Sequence, residues 1–340
     1  MTNPIREYRD CNPEAIRDEV IVSGQPAVLR GLASDWPAVA RARASVPALV
    51  DYLRSKDSGT PVDAVMTPPE VQGRIFYNDT LDGFNFLRHR LSLSAVMEQA
   101  TRYASFDRAP AVAVQSALIR DCLPGFAEEN STGVLPDSVL PRIWLGNAVT
   151  TPTHLDEWRN IGCVVAGRRR FTLFPPEQIG NLYIGPLDFA PTGAPVSLVR
   201  LGAPDFDRFP RFREALEAAQ CAELGPGDAI YIPPLWWHNV ESLESFNVLV
   251  NYWWHASDDA QLQRSSAFDS LLHGMLAIRD LPAETRTAWR ALFDHYVFGP
   301  ASAYRDHIPE ARRGVQGQLS ADTGARLRAD LAKRLESSSR

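Results

Sequence analysis

The 340-residue chain contains no run of about 18 apolar residues, so it offers no segment long enough to cross a bilayer as a helix, and no membrane association is expected. The basic-then-apolar start of a secretory signal is also missing, and a cytoplasmic protein is the expectation. Cysteine is scarce. The four residues Cys11, Cys122, Cys163 and Cys221 show neither Cys-x-x-Cys pairing nor compact spacing, which argues against a disulfide scaffold and for reduced thiols. Positive charge is in deficit, with 35 Lys and Arg against 41 Asp and Glu. The net charge of -6 speaks against a general phosphate-binding surface, so no nucleic-acid partner is expected. Internal repeats and low-complexity linkers are absent. What remains, 45% hydrophobic and 22% charged, is an ordinary globular composition with enough length for one large or two modest domains.

Histidine is rare as well, at seven residues, which gives weight to where two of them fall. His154 and Asp156 lie in Thr151-Pro-Thr-His-Leu-Asp-Glu-Trp-Arg-Asn160, and on an extended strand residues i and i+2 share a face. His238 closes Pro226-Gly-Asp-Ala-Ile-Tyr-Ile-Pro-Pro-Leu-Trp-Trp-His238, a turn cluster feeding a short apolar strand that breaks at two prolines. Two imidazoles and one carboxylate converging from neighbouring strands form a facial triad. Such a triad leaves three positions of an octahedral metal open and points to a non-heme Fe(II) oxygenase. His255, His273, His295 and His307 lie outside these segments and are expected to be structural or surface residues.

Three regions separate along the chain. Residues 1–110 mix short apolar runs with helical stretches, among them Ser92 to Tyr103 with Ser92 or Ser94 as cap, and read as an α+β region packed on a barrel. Residues 111–256 are strand-rich. Candidates are Ala111–Gln115, Ile143–Leu145, Ile161–Val165, Phe171–Phe174, Ala229–Ile232 and Asn247–Trp254, and short strands punctuated by Gly and Pro suggest a sandwich or barrel. Residues 257–340 read as helices, the last carrying Leu327, Leu331 and Leu335 as one apolar stripe on a charged surface.

The stretch from about Trp144 to Trp254 resembles the JmjC-like cupin family of Fe(II)- and 2-oxoglutarate-dependent oxygenases. Within that family it looks most like the asparaginyl hydroxylase that acts on hypoxia-inducible factor. The resemblance is carried in order by Gly146-Asn147, Thr151-Pro152, His154-x-Asp156-Glu157, Asn160, Gly167, Phe171-Thr-Leu-Phe-Pro-Pro-Glu177, Asp205 to Pro210, Pro226-Gly-Asp228, Tyr231-Ile-Pro233, Trp236-Trp-His238, Glu241-Ser242 and Asn251-Tyr-Trp253. Upstream, Gln25 to Gly31 with Asp35-Trp-Pro37, and Phe76 to Asp79 with Gly83 to Phe86, extend it over nearly the whole chain.

The resemblance implies a mainly β fold with helices: a double-stranded β-helix, or jelly roll, with an N-terminal α+β elaboration and C-terminal helices. It implies His154, Asp156 and His238 as catalytic ligands of Fe(II), with 2-oxoglutarate as cosubstrate and O2 as co-reactant. Thr151, Asn160, Asn251 and Trp253 match positions near the cosubstrate or iron, and Tyr77 and Trp158 match positions near the substrate, although Trp158 replaces a substrate-contacting glutamine. The lysine that anchors the far carboxylate of 2-oxoglutarate falls on Arg169 in Gly167-Arg-Arg-Arg-Phe171, and a supporting tyrosine falls near Ala113, so the anchor departs from the family. A planar guanidinium fork grips a carboxylate with two hydrogen bonds where an ammonium is a point charge, so Arg169 is expected to serve for both. Alternation sends Arg168 and Arg170 the other way.

The expected activity is dioxygenase hydroxylation of a protein side chain. Small-molecule hydroxylation or N-methyl demethylation are variants, and a non-catalytic metal-binding cupin is the alternative that the altered anchor favours. Close relatives dimerise through the C-terminal helices, and the Leu327 stripe leads to the same expectation here.

Overall fold

The computed structural model describes residues 3–9, 12–255 and 267–337; Cys11 lies outside them. Residues 1–254 form one compact unit and 255–340 a second. In chain order the strands are β1 Asn3–Pro4, β2 Arg6–Tyr8, β3 Ala27–Leu29, β4 Val62–Thr67, β5 Leu87–Leu91, β6 Ala111–Leu118, β7 Pro141–Gly146, β8 Thr150–His154, β9 Arg159–Ala166, β10 Arg169–Phe174, β11 Gln220–Leu224, β12 Ala229–Ile232, β13 Trp237–Ser242 and β14 Asn247–Trp254.

They build two sheets. A nine-stranded sheet runs β2-β3-β12-β9-β14-β7-β6-β4-β5, and a five-stranded sheet runs β1-β11-β10-β13-β8. Phe171 and Leu173 of the smaller sheet meet Val164, Ile230, Ile232 and Leu249 of the larger one in a shared apolar core. The other face of the larger sheet is covered by helices, where Leu49, Leu53, Val96 and Met97 pack on Ile161, Cys163, Val165 and Val250. Burial on both faces explains why β9 and β14 read as nearly continuous apolar runs rather than alternating ones. This is the cupin-like jelly roll, extended by strands from the N-terminal third of the chain.

Local chemistry places these elements. Ser92 Oγ accepts from Ala95 N at 3.2 Å and caps the helix Leu93–Tyr103, and Ser45 does the same for Val46–Arg54 through Ala48 N at 3.1 Å. The turn before β12 needs Gly227, whose φ of 100° lies in left-handed space. Asp228 fixes that turn by accepting from Gly225 N at 3.2 Å and from the Arg30 guanidinium at 2.7 Å.

The second unit is helical over Ala267–Ile278, Ala283–Tyr296, Ala301–Arg305 and Ala321–Ser337. Among the described residues of these helices only Gly324 is buried, whereas Leu276, Leu331 and Leu335 on them, and Phe298 between two of them, are exposed. No described helix is long and apolar enough to cross a membrane.

Candidate metal centre

The strands β8 and β13 pair antiparallel at the edge of the smaller sheet, with His154 opposite His238. Their rings lie 4.2 Å apart, centroid to centroid. His154 Nδ1 sits 2.9 Å from the Pro152 carbonyl and His238 Nδ1 3.0 Å from the Trp236 carbonyl. A carbonyl only accepts, so both Nδ1 atoms carry the proton and both Nε2 lone pairs are left for a metal. The strand reading of Asp156 needs correction: β8 ends at His154, and Asp156 lies in the turn beyond it. Its backbone carbonyl accepts from Leu235 N at 2.8 Å, which brings the Asp156 turn beside the segment leading into β13.

Asp156 Oδ2 stands 3.5 Å from His238 Nε2, and one ligand atom from each of the three residues lies within 4.8 Å of the others. Trp253 Nε1 donates to the same oxygen at 3.1 Å, and Asn160 Nδ2 approaches it at 3.5 Å. Asn160 is oriented in turn by Asn251, whose Nδ2 donates to Asn160 Oδ1 at 3.2 Å while its own Oδ1 accepts from Trp144 Nε1 at 2.9 Å. Burial first, and then the neighbouring His154, push the His238 imidazole well below its ordinary range, against the pull of Asp156. It is therefore neutral at physiological pH, the form that ligates metal.

The triad opens on a cavity of about 50 Å³ that Thr151, Asn160, Arg169, Asn251 and Trp253 also line. Arg169 is 6% exposed, its Nε has no hydrogen-bond partner, and burial draws it down to about 10. Its neighbours face outward into ion pairs: Arg168 with Glu244 at 2.8 Å, and Arg170 with Glu223 at 2.7 Å and Glu241 at 3.3 Å. The other expected residues lie elsewhere. Tyr77 does not line this cavity; its hydroxyl donates to the Phe189 carbonyl and its ring packs with Phe76 and Phe84. Trp158, 42% exposed, is likewise outside the lining. Ala113 is buried among Val65, Ile75 and Phe86. Sequence reasoning missed Trp144 and the apolar wall of Phe171, Ile230, Ile232 and Leu249, although alternation from Asn251 would have reached Leu249, whose register partner on β7 is Trp144.

A family model for the cupin-like domain matches residues 13–260. The chain belongs to the cupin-like domain family. Among curated cupin-like relatives, HSPB1-associated protein 1 of Bos taurus is 32% identical over 177 residues, covering 48% of this chain and 36% of that protein. The human bifunctional peptidase and (3S)-lysyl hydroxylase JMJD7 is 26% identical over 302 residues, covering 79% of this chain and 86% of that one. Lysine-specific demethylase JMJ31 of Arabidopsis thaliana is 35% identical over 115 residues, covering 34% and 20%. The chain spans about a third of the length of the HSPB1-associated proteins it matches. The finer likeness to the asparaginyl hydroxylase rests on the sequence motifs alone.

Proposed function

We propose that the protein is an Fe(II)- and 2-oxoglutarate-dependent oxygenase that hydroxylates a protein side chain. The observation that carries this reading is Arg169, a buried guanidinium with an unmatched N–H, in the same cavity as a complete His–Asp–His set. A buried cation without a counter-charge is costly, and a dicarboxylate cosubstrate supplies one. The donor set fits ferrous iron: two imidazoles and one carboxylate. His154, Asp156 and His238 would hold the metal, Arg169 the far carboxylate, with Thr151, Asn160 and Asn251 as polar neighbours. When bound, iron, 2-oxoglutarate and O2 supply the oxidising power to insert oxygen at a C–H bond, with succinate and CO2 as coproducts.

The chain's own residues do the rest. Trp253 and Asn160 fix the orientation of the Asp156 carboxylate, and the apolar wall keeps bulk water from the reacting positions. The exposed Trp158 and Leu235, flanking Asp156 in sequence and by hydrogen bond, offer a protein substrate an apolar rim. The likeness to JMJD7, named as a (3S)-lysyl hydroxylase, supports the same reading. Demethylation remains the second reading because of JMJ31. Incubating iron-loaded protein with 2-oxoglutarate and a peptide library distinguishes them by product mass: gain of one oxygen supports hydroxylation, and loss of a methylene unit demethylation. Free thiols at Cys122, Cys163 and Cys221 suit a cytoplasmic site of action, and the exposed apolar residues of the C-terminal helices suit a homodimer.

A further inference from the structure

Asp156 receives two donors on one oxygen, and both lead back to a single residue on a strand that carries no ligand. That strand is β7, which pairs with β14 in the larger sheet and sets Trp144 opposite Leu249. Trp144 meets Trp253 edge to face, with ring centres 5.9 Å apart and planes at 88°, and Trp253 Nε1 donates to Asp156 Oδ2 at 3.1 Å. Trp144 Nε1 also starts a chain of hydrogen bonds through Asn251 and Asn160 to that same oxygen, in steps of 2.9, 3.2 and 3.5 Å. All of these side chains line the metal cavity. Asp156 has particular need of such support. His154 and His238 lie within paired strands, whereas the ladder of β8 stops short of Asp156, so its carboxylate depends on the side chains that reach it.

An indole nitrogen can only donate. It therefore fixes the Asn251 amide, because the flipped form would set the NH2 group against the Trp144 N–H. Asn251 and Asn160 are both buried, so solvent offers a turned amide little compensation. With Asn251 Oδ1 held by Trp144, its Nδ2 faces Asn160, whose Oδ1 accepts and whose Nδ2 is thereby aimed at Asp156. The last step is the longest, at the outer limit of a hydrogen bond, so a small turn of Asn160 decides whether it holds Asp156 at all. We infer that Trp144 is a positioning residue for the metal centre: its N–H sets the direction of the amide chain and its ring backs Trp253, so that both donors converge on the one ligand outside a strand. The inference rests on the reading of His154, Asp156 and His238 as an iron site.

The test replaces Trp144 by 3-benzothienylalanine, a tryptophan analogue with sulfur in place of the N–H, which keeps the ring and its contact with Trp253. Ferrous iron affinity of the full chain is measured anaerobically by chelator competition in the parent and in Asn160→Ala, each with and without the analogue. Direct partners of a metal ligand tune affinity by about 10- to 100-fold, and Trp144 acts through two further side chains, so a loss of about three- to tenfold is expected in the parent background. In Asn160→Ala the analogue should cost less than about twofold, since no amide is left for the N–H to aim at Asp156. Trp144→Phe, which also withdraws the ring from Trp253, should lose more than the analogue does, and an equal loss overturns the part assigned to the ring. A general loosening of the site would lower affinity equally in both backgrounds. That result overturns the inference, as does parental affinity in the chain that carries the analogue alone. A parent that takes up no iron defeats the reading of the site itself, and this inference with it.

Discussion

Among single residues, Arg169 turns inward while Arg168, just before β10, and Arg170, next to it on the strand, pair with surface glutamates, and their consequences differ accordingly. Arg169→Ala removes the proposed buried anchor of the cosubstrate and should cost about 2–5 kcal/mol of 2-oxoglutarate binding, or at least about thirtyfold in affinity. Arg169→Lys should fall between, keeping charge without the fork. Arg168→Ala and Arg170→Ala, whose side chains pair with surface glutamates, should bind 2-oxoglutarate as the parent does, and titration of all four variants checks the set. Trp253→Phe removes the N–H that orients Asp156 together with part of the ring, and a chelator-competition assay should show iron affinity lower by about 10- to 100-fold. An unchanged iron affinity would reduce Trp253 to a wall of the cavity. The triad was legible because its three residue types stand in turn-delimited segments, and Arg169 because alternation fixes its side. The relay from Trp144 through Asn251 and Asn160 was not, since it depends on the register of three strands far apart in sequence.

For whole elements, the turn between β9 and β10 sets which arginine points inward. Gly167 occupies it at φ 72°, where an added Cβ would meet the Asn247 side chain and the Phe246 carbonyl. Gly167→Ala combines backbone strain with overpacking and should destabilise by about 1–3 kcal/mol, seen as a Tm lower by several degrees, with weaker 2-oxoglutarate binding as the inward arginine shifts. A parental Tm and parental binding would show that the turn does not govern the register. Strands of the central region were legible from apolar runs between Gly and Pro. The N-terminal pairings were not: β1 joins β11 and β2 joins β3 through two- and three-residue parallel contacts too short to carry a periodic signal. Asp156 shows a related limit, because i, i+2 spacing placed it on the correct face while the strand itself stops at His154.

For the molecule as a whole, the C-terminal unit leaves Leu276 80% and Phe298 77% exposed, along with Leu331 and Leu335 of the last helix. Apolar area of this kind gains stability by being covered, and a second copy of the chain is the proposed cover. Light scattering at tens of micromolar should report a dimer, and removal of the residues after 258 a monomer or aggregate. A monomeric full chain would end that proposal. The stripe at Leu327, Leu331 and Leu335 was legible from its four-residue spacing; what covers it is not written in a single chain. The central claim is that one cavity holds ferrous iron on His154, Asp156 and His238 and 2-oxoglutarate on Arg169. The most direct measurement is succinate formation when anaerobically iron-loaded protein with 2-oxoglutarate is exposed to O2, run beside Asp156→Ala. The parent should bind one iron per chain and produce succinate, and the variant should fold but do neither. Tight iron binding and full turnover by Asp156→Ala, or no succinate from iron-loaded parent, would contradict the account.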